Sequence, residues 1–248
     1  MSHEIRSPLN SLLGYLHIMK RELAGPLPEA YRAQLDRVEQ IGSHLRTIVN
    51  DLLDQTRLES GHFPVRQSRA RLGDAVEGAV TMVEPHARAK GLELSNLVAA
   101  YGAEVTFFGD EDRVRQIVVN VLTNAIKFTP AGGTVKISAG SAETPSPDAA
   151  LTGPGPWVYI RVEDDGAGIA PDRLAAIFEP FEQGALESAP ANEGSGLGLS
   201  ISRRLARLMG GDLTVRSQVG RGSTFFLWLP GGETAALPPG VGPAAGAR

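Results

Sequence analysis

The chain has no cysteine. That absence excludes disulfides and thiolate-bound metal centres, and it fits a reducing compartment. No run approaches the roughly 18 consecutive apolar residues that cross a bilayer, and the start carries no charged segment followed by an apolar stretch and a cleavage site. The expectation is a chain of cytoplasmic character, whether free or tethered to a membrane through other segments. An excess of positive charge is missing as well: 24 Lys and Arg stand against 28 Asp and Glu, a formal net charge of -4. Without a basic footprint for phosphates there is no reason to expect nucleic acid as a partner. No internal repeat is visible. What is present is 248 residues, of which 42% are hydrophobic, enough for one large folded domain or two modest ones.

In the first sixty residues Ile5, Leu9, Leu12, Leu16, Met19 and Leu23 recur at alternating steps of four and three, the seam of a helix that packs against another. Gly25-Pro26-Leu27-Pro28 interrupts it. A second seam follows through Leu35, Val38, Gly42, Leu45, Val49 and Leu52, widened by Ile41 and Ile48. The pattern predicts an antiparallel helical hairpin over residues 1–62. Stripes this wide cannot be buried by one pair of helices, so pairing with a second copy as a four-helix bundle, a homodimer, is expected.

Past Ser60-Gly61-His62-Phe63-Pro64 the period changes. Helices are expected near 72–90, 110–128, 171–178 and 197–209, and strands near 92–98, 105–108, 134–138, 157–163, 213–217 and 223–229. This mixture predicts an α+β unit over 63–232, an α/β sandwich with helices layered on a mixed or antiparallel sheet. Residues 142–156, rich in Pro, Ser and Gly, and residues 183–193, without apolar periodicity, are expected to be mobile loops. The low-complexity end, 233–248, is expected to be a disordered tail.

Three stretches could carry chemistry. In GSGLGLSISRRLARLMGG, Gly194, Gly196 and Gly198 precede a helix whose amides and dipole suit an anion. The spacing is not the dinucleotide fingerprint and no strand directly precedes it. A plain flexible loop is the alternative. In VEDDGAGIAP a strand ends at Asp164 and turns through Gly166 and Gly168. A buried carboxylate there can accept a hydrogen bond from an exocyclic amine, with the glycines leaving room for a flat base. Taken alone, DDG reads first as an ordinary acidic turn. In DRVRQIVVNVLTNAIKFTP, Asn120 and Asn124 stand four apart on one helical face, with Lys127 a turn further. Amide oxygens can ligate Mg²⁺ beside phosphates and an ammonium can neutralise a phosphate tail, although a solvent-facing helix surface could also carry these residues.

The order SHEIRSPLN, NVLTNAIKFTP, DDGAGI, FEPFEQ, GSGLGL, GSTFFLWLP resembles the bacterial sensor histidine kinases of two-component signalling, across roughly residues 2 to 230. The resemblance implies a dimerising phosphotransfer hairpin joined to a Bergerat-type ATP-binding domain of the kind shared with gyrase and Hsp90. It implies that His3 attacks the γ-phosphate of Mg-ATP, that Glu4 holds the other ring nitrogen, and that the phosphoryl group passes to an aspartate of a response-regulator receiver domain. Ser7, one turn on, falls where the family often has Thr or Asn to orient a water for dephosphorylation.

By the same resemblance Asn124 binds Mg²⁺, Asn120 and Lys127 flank the phosphates, and Asp164 reads the adenine amine. Gly166 and Gly168 line the base pocket, while Gly194, Ser195, Gly196, Leu197 and Gly198 cradle the triphosphate. Thr224 supports the adenine side, and Phe178 and Phe181 pack the hinge of an ATP lid. Extrapolated heptad phase puts His3 beside the core on the outer surface, and Pro8 bends the helix just after it. His17, His44, His62 and His86 lack any such surrounding motif. An ATP-driven clamp of the gyrase kind is the alternative, but it normally has a glutamate where Asn120 stands. A non-catalytic dimeric adaptor is the other. Only two residues precede His3, so the expectation is the cytoplasmic catalytic portion of a longer kinase, free or membrane-anchored, whose upstream sensor region is missing.

Overall fold

The computed structural model describes residues 2–22, 25, 27–61, 63–98, 105–151, 155–182 and 195–232, with the backbone alone for residues 2–6. Leu23, His62, Gly194, the expected loop 183–193 and the expected tail 233–248 lie outside the described residues.

The hairpin is two long helices, α1 (Ser2–Lys20) and α2 (Glu29–Glu59). They run antiparallel: Arg32 pairs with Glu22, Lys20 reaches Asp36 at 2.8 Å, and a Cβ on Gly42 would sit 2.8 Å from Leu13. Leu9 and Leu16 bury themselves as the seam requires, whereas Leu12 and Met19 stay exposed beside Tyr15 and Ile18. On α2, Val38, Ile41, Leu45 and Leu52 are exposed too. The hairpin therefore buries one stripe internally and presents a second, apolar one outward. Among the described residues no helix is long and apolar enough to cross a membrane.

The α+β expectation holds for the remainder. The order is β1 (Ser68–Arg71), α3 (Leu72–Lys90), β2 (Glu93–Asn96), β3 (Thr106–Gly109), α4 (Glu111–Phe128), β4 (Thr134–Ala142), β5 (Trp157–Asp164), two 3₁₀ turns (Pro171–Arg173 and Ala176–Phe178), α5 (Gly198–Leu208), β6 (Asp212–Gln218) and β7 (Gly222–Pro230). The mixed sheet runs β2-β4-β5-β7-β6, with only the β2–β4 pair parallel, and β1 pairs with β3 as a separate ribbon. Alternate residues of β5 and β7 (Val158, Ile160, Val162; Phe225, Leu227, Leu229) enter the core with Ile117 and Val121 of α4 and Leu205 of α5. Asp110 caps α4 by accepting from the amides of Asp112 and Arg113, and Gly91 ends α3 in the left-handed conformation.

Three expectations need correction. Residues 171–178 form two 3₁₀ turns instead of a helix; the segment is short, and Pro180 holds Glu179 extended, which stops any continuation. The strand β1 was not expected at all, because SRAR is an exposed edge without apolar alternation. Residues 142–151 are not a free loop. β4 continues to Ala142, and Ala149 and Leu151 then cover an aromatic cluster of Trp157, Tyr159, Phe226 and Trp228 on the sheet face away from the helices. Polar ties fasten this strap: the Ala150 amide donates to Asp212 at 3.0 Å, and Arg216 binds Asp148 and the buried Ser146. A Pro, Ser and Asp composition signals a loop, but its partners lie more than sixty residues away and leave no local trace.

Candidate functional site

β5 delivers Asp164 to the helix-side face of the sheet, where it is buried. Its Oδ1 accepts from the Gly166 amide at 2.9 Å and the Ser223 amide at 3.3 Å. Burial pushes its carboxyl above the usual range, against the lowering effect of those two amides, and Asp165 and Glu163 add to the rise. Among the described residues both bonds fall on Oδ1, which leaves Oδ2 for a further donor. Gly166 is required because a Cβ would lie 2.7 Å from the Phe128 carbonyl oxygen, and Gly168 because it sits at φ +71° with a Cβ 2.6 Å from the Gln218 carbonyl carbon. Ser217 locks the turn to the far hairpin: its Oγ accepts from the Ile169 amide at 2.7 Å and donates to Gly222.

Thr224 does not reach this turn. Strand alternation places it with Phe226 and Trp228 on the outer face, paired in register with Glu163 and Arg216. Ser223 faces Asp164 instead, through its amide, and its hydroxyl meets Ser217 Oγ at 3.0 Å. Parity along β7 could have found Ser223: Phe225 and Leu227 read as core, so residue 223 shares their face.

One helix joins this turn to the glycine-rich segment. The carbonyl of Phe128 at the end of α4 touches Gly166, while Asn120 lies against Gly198 at the start of α5 and donates to Ser202 Oγ at 3.0 Å. Eight residues separate the two contacts, about 12 Å at the α-helical rise. Asn124 and Lys127 lie between them. Asn124 is half-buried with no hydrogen-bond partner among the described residues, and the Lys127 ammonium sits 5.0 Å from the Phe128 ring centroid. Among the described residues no group of three His, Cys, Asp or Glu side chains could hold a metal. A divalent ion here would rely on the Asn124 carboxamide and on the phosphates it accompanies, which suits a hard, well-hydrated cation.

In the glycine segment, Gly196 takes φ +70° and accepts from the Phe181 amide at 3.0 Å, so the chain before residue 183 and after residue 194 is joined at its base. Phe178 packs on the core, with the Arg203 guanidinium 4.5 Å above its ring. Phe181 is 64% exposed and joins the glycine segment through this backbone bond, while the lid it is expected to pack against lies outside the described residues. Arg203 is a residue the motif reading missed. It and Arg207 donate from Nε to the fully buried Asp212 at 3.1 and 3.0 Å, which connects α5 to the strap.

Ser195 ties the site to the hairpin. Its Oγ donates to Asp51 Oδ2 on α2 at 2.7 Å and accepts from the Leu197 amide at 3.2 Å. Burial raises the Asp51 carboxyl above the usual range, the Ser195 bond opposes this, and Asp54 adds to the rise. His3 and Glu4 lie on the first turn of α1, where the backbone alone is described. Ser7 is exposed, its carbonyl accepting from Ser11 Oγ at 3.1 Å, and Pro8 lies within the helix. His17 and His86 are exposed, and His44 is half-buried.

Residues 1–61 match the His Kinase A (phospho-acceptor) domain family, and residues 109–233 match the family of histidine kinase-, DNA gyrase B- and HSP90-like ATPases. The histidine protein kinase DivJ of Caulobacter vibrioides is 34% identical over 232 residues, 93% of this chain and 36% of that protein. The sensor protein GacS of Pseudomonas syringae is 36% identical over 229 residues, 92% of this chain and 24% of that protein. The crystal structure of full-length ShkA in complex with AMPPNP superposes with a TM-score of 0.72 at 31% identity, covering 95% of this chain and 45% of that one. The chain thus spans less than half the length of these relatives.

Proposed function

The chain belongs to the histidine kinases, and from that premise we propose that it transfers the γ-phosphoryl group of Mg-ATP to His3 and from there to an aspartate of a response-regulator receiver domain. The observation that carries this reading is the run of α4 from the Asp164 turn to the glycine segment, with that segment bonded in turn to the hairpin that bears His3. Asp164 Oδ2 accepts the exocyclic amine of adenine, and Gly166 and Gly168 leave the base room to approach. The amides of Gly196 and Gly198, at the N-terminus of α5, receive the phosphates, with Lys127 beside them.

Asn124 would hold Mg²⁺, whose charge would offset that of the phosphoryl oxygens. The neutral imidazole of His3 attacks phosphorus: a P–N bond forms, the P–O bond to the leaving diphosphate breaks, and its electron pair departs with ADP. Glu4 accepts from the second ring nitrogen and stabilises the imidazolium that develops. A clamp-type ATPase is the weaker reading, because Asn120 donates to Ser202 and cannot take a proton from water. The exposed stripe of Leu12, Tyr15, Ile18 and Met19, continued by Val38, Ile41 and Leu45, supports a homodimer closed as a four-helix bundle.

Incubation with γ-labelled Mg-ATP should give acid-labile, alkali-stable label on the protein. Wild type without label, or His3→Gln with undiminished label, would overturn the assignment.

A further inference from the structure

The reading above says what His3 and the nucleotide site do but not how the two are brought together, and the Ser195–Asp51 bond bears on that. The contacts of Arg32 with Glu22, Lys20 with Asp36 and Gly42 with Leu13 define a constant antiparallel register. Both helices rise equally per residue, so the register carried past Gly42 sets Asp51 across from the first turn of α1, which bears His3. The glycine segment is therefore bonded to the hairpin at the level of the phosphoacceptor.

We propose that the Asp51–Ser195 hydrogen bond fixes the height of the glycine segment on the hairpin, so that Asp51 is a positioning residue for phosphoryl transfer. The proposal rests on the kinase reading. Leu58 of α2 is buried in the core of the catalytic part, and Gln116 of α4 approaches Asp54 at 3.5 Å, so the two parts are packed together in any case. Apolar packing is non-directional and leaves α2 free to slide, whereas a hydrogen bond specifies distance and angle. The Ser195 hydroxyl bonds to Asp51 and to the Leu197 amide together, so the hairpin carboxylate bears directly on the backbone that opens α5. Asp51 also stands near Asp54, and among the described residues no cation pairs with it. A half-buried carboxylate so placed adds little to stability, and a positioning role accounts for its presence.

The test compares autophosphorylation of the full chain at saturating and limiting ATP. Asp51→Ala should lower the maximal rate about ten- to a hundred-fold, the order lost on small misplacement of reacting groups. Its KM for ATP and its melting temperature should stay at the wild-type values, which a merely structural role would not allow. Asp51→Asn, which keeps an acceptor oxygen for the Ser195 hydroxyl, should recover most of the rate. The Asp51→Ala, Ser195→Ala double variant should fall no further than the slower single variant.

An Asp51→Ala rate equal to or above wild type overturns the proposal, as does a loss that appears only in KM or in stability. The absence of cysteine allows a second measurement without chemistry. Spin labels at Ser11→Cys on α1 and Arg204→Cys on α5, both exposed, report where the catalytic part sits. Asp51→Ala should broaden their distance distribution, and an unchanged distribution overturns the proposal whether or not His3 takes label. Wild type that fails to label while Asp51→Ala broadens the distribution strikes the kinase reading alone.

Discussion

Replacing Asp212 with alanine should destabilise the catalytic part more than any other single polar substitution considered. The carboxylate is fully buried at the start of β6. Its Oδ1 takes Nε of both Arg203 and Arg207, and its Oδ2 takes the Ala150 amide. Charge-assisted bonds of this kind contribute about 1.5–3 kcal/mol each. The arginines can partly rehydrate, since their side chains are 26% and 50% exposed, which reduces their share. The Ala150 amide loses the acceptor that holds the strap beside Trp157 and Trp228. A loss of about 3–5 kcal/mol follows, the range for breaking one side of a buried pair. For a unit of this size, that corresponds to a melting temperature lower by roughly 10–15 °C.

The pH dependence supplies a second check. Burial by itself would raise the Asp212 carboxyl, but Arg203, the Ala150 amide and Arg207 together hold it below the usual carboxylate range. A folded-state value below the unfolded one means stability that is complete above the unfolded value and lost as pH falls through the folded one. Urea unfolding of wild type and Asp212→Ala should therefore differ most at neutral pH and converge in acid. A difference under about 1 kcal/mol at neutral pH would refute the reasoning, because that is the scale of an ordinary exposed pair.

Gly168→Ala should cost about 1–3 kcal/mol for the left-handed backbone alone, and more because the new Cβ meets the backbone at Gln218 and Val219; thermal denaturation and nucleotide titration should both register it. Asp164→Asn should behave oppositely in the two assays. Burial lifts the Asp164 carboxyl, so wild-type stability declines as pH rises from the unfolded carboxylate value through the raised folded one. The asparagine variant removes that decline and melts higher at neutral pH, while its ATP affinity, followed by calorimetry, drops for want of an anionic acceptor.

Much of the fold was legible because it is written in local periods. The step of 3.6 residues located α3 to its exact ends, Leu72 and Lys90, and the alternation of Val158, Ile160 and Val162 located β5. Legibility failed where a residue's partner is remote or its signal is polar. The edge strand β1 has no apolar face, and the strap owes its order to Asp212 and Arg216. In the candidate site, Asp164, Gly166, Gly168 and Asn120 stood out as glycines and polar groups in places that local propensity disfavours. Ser223, Ser202, Arg203 and Asp51 did not, since serines and charged side chains on helices and strands are ordinary surface residues until the chain folds.

The sequence by itself thus determined the succession of elements, the two apolar stripes of the hairpin and the turns that only glycine can make, all of which depend on neighbours within a few residues. The tertiary structure alone decided that Ser223 and not Thr224 meets Asp164, that Phe178 is held by Arg203 while Phe181 stays outside, and that the glycine segment is bonded to α2 level with the turn of His3. Each of these depends on strand parity or helix register between segments far apart in the chain, and such pairings are chosen by the packing of the whole core.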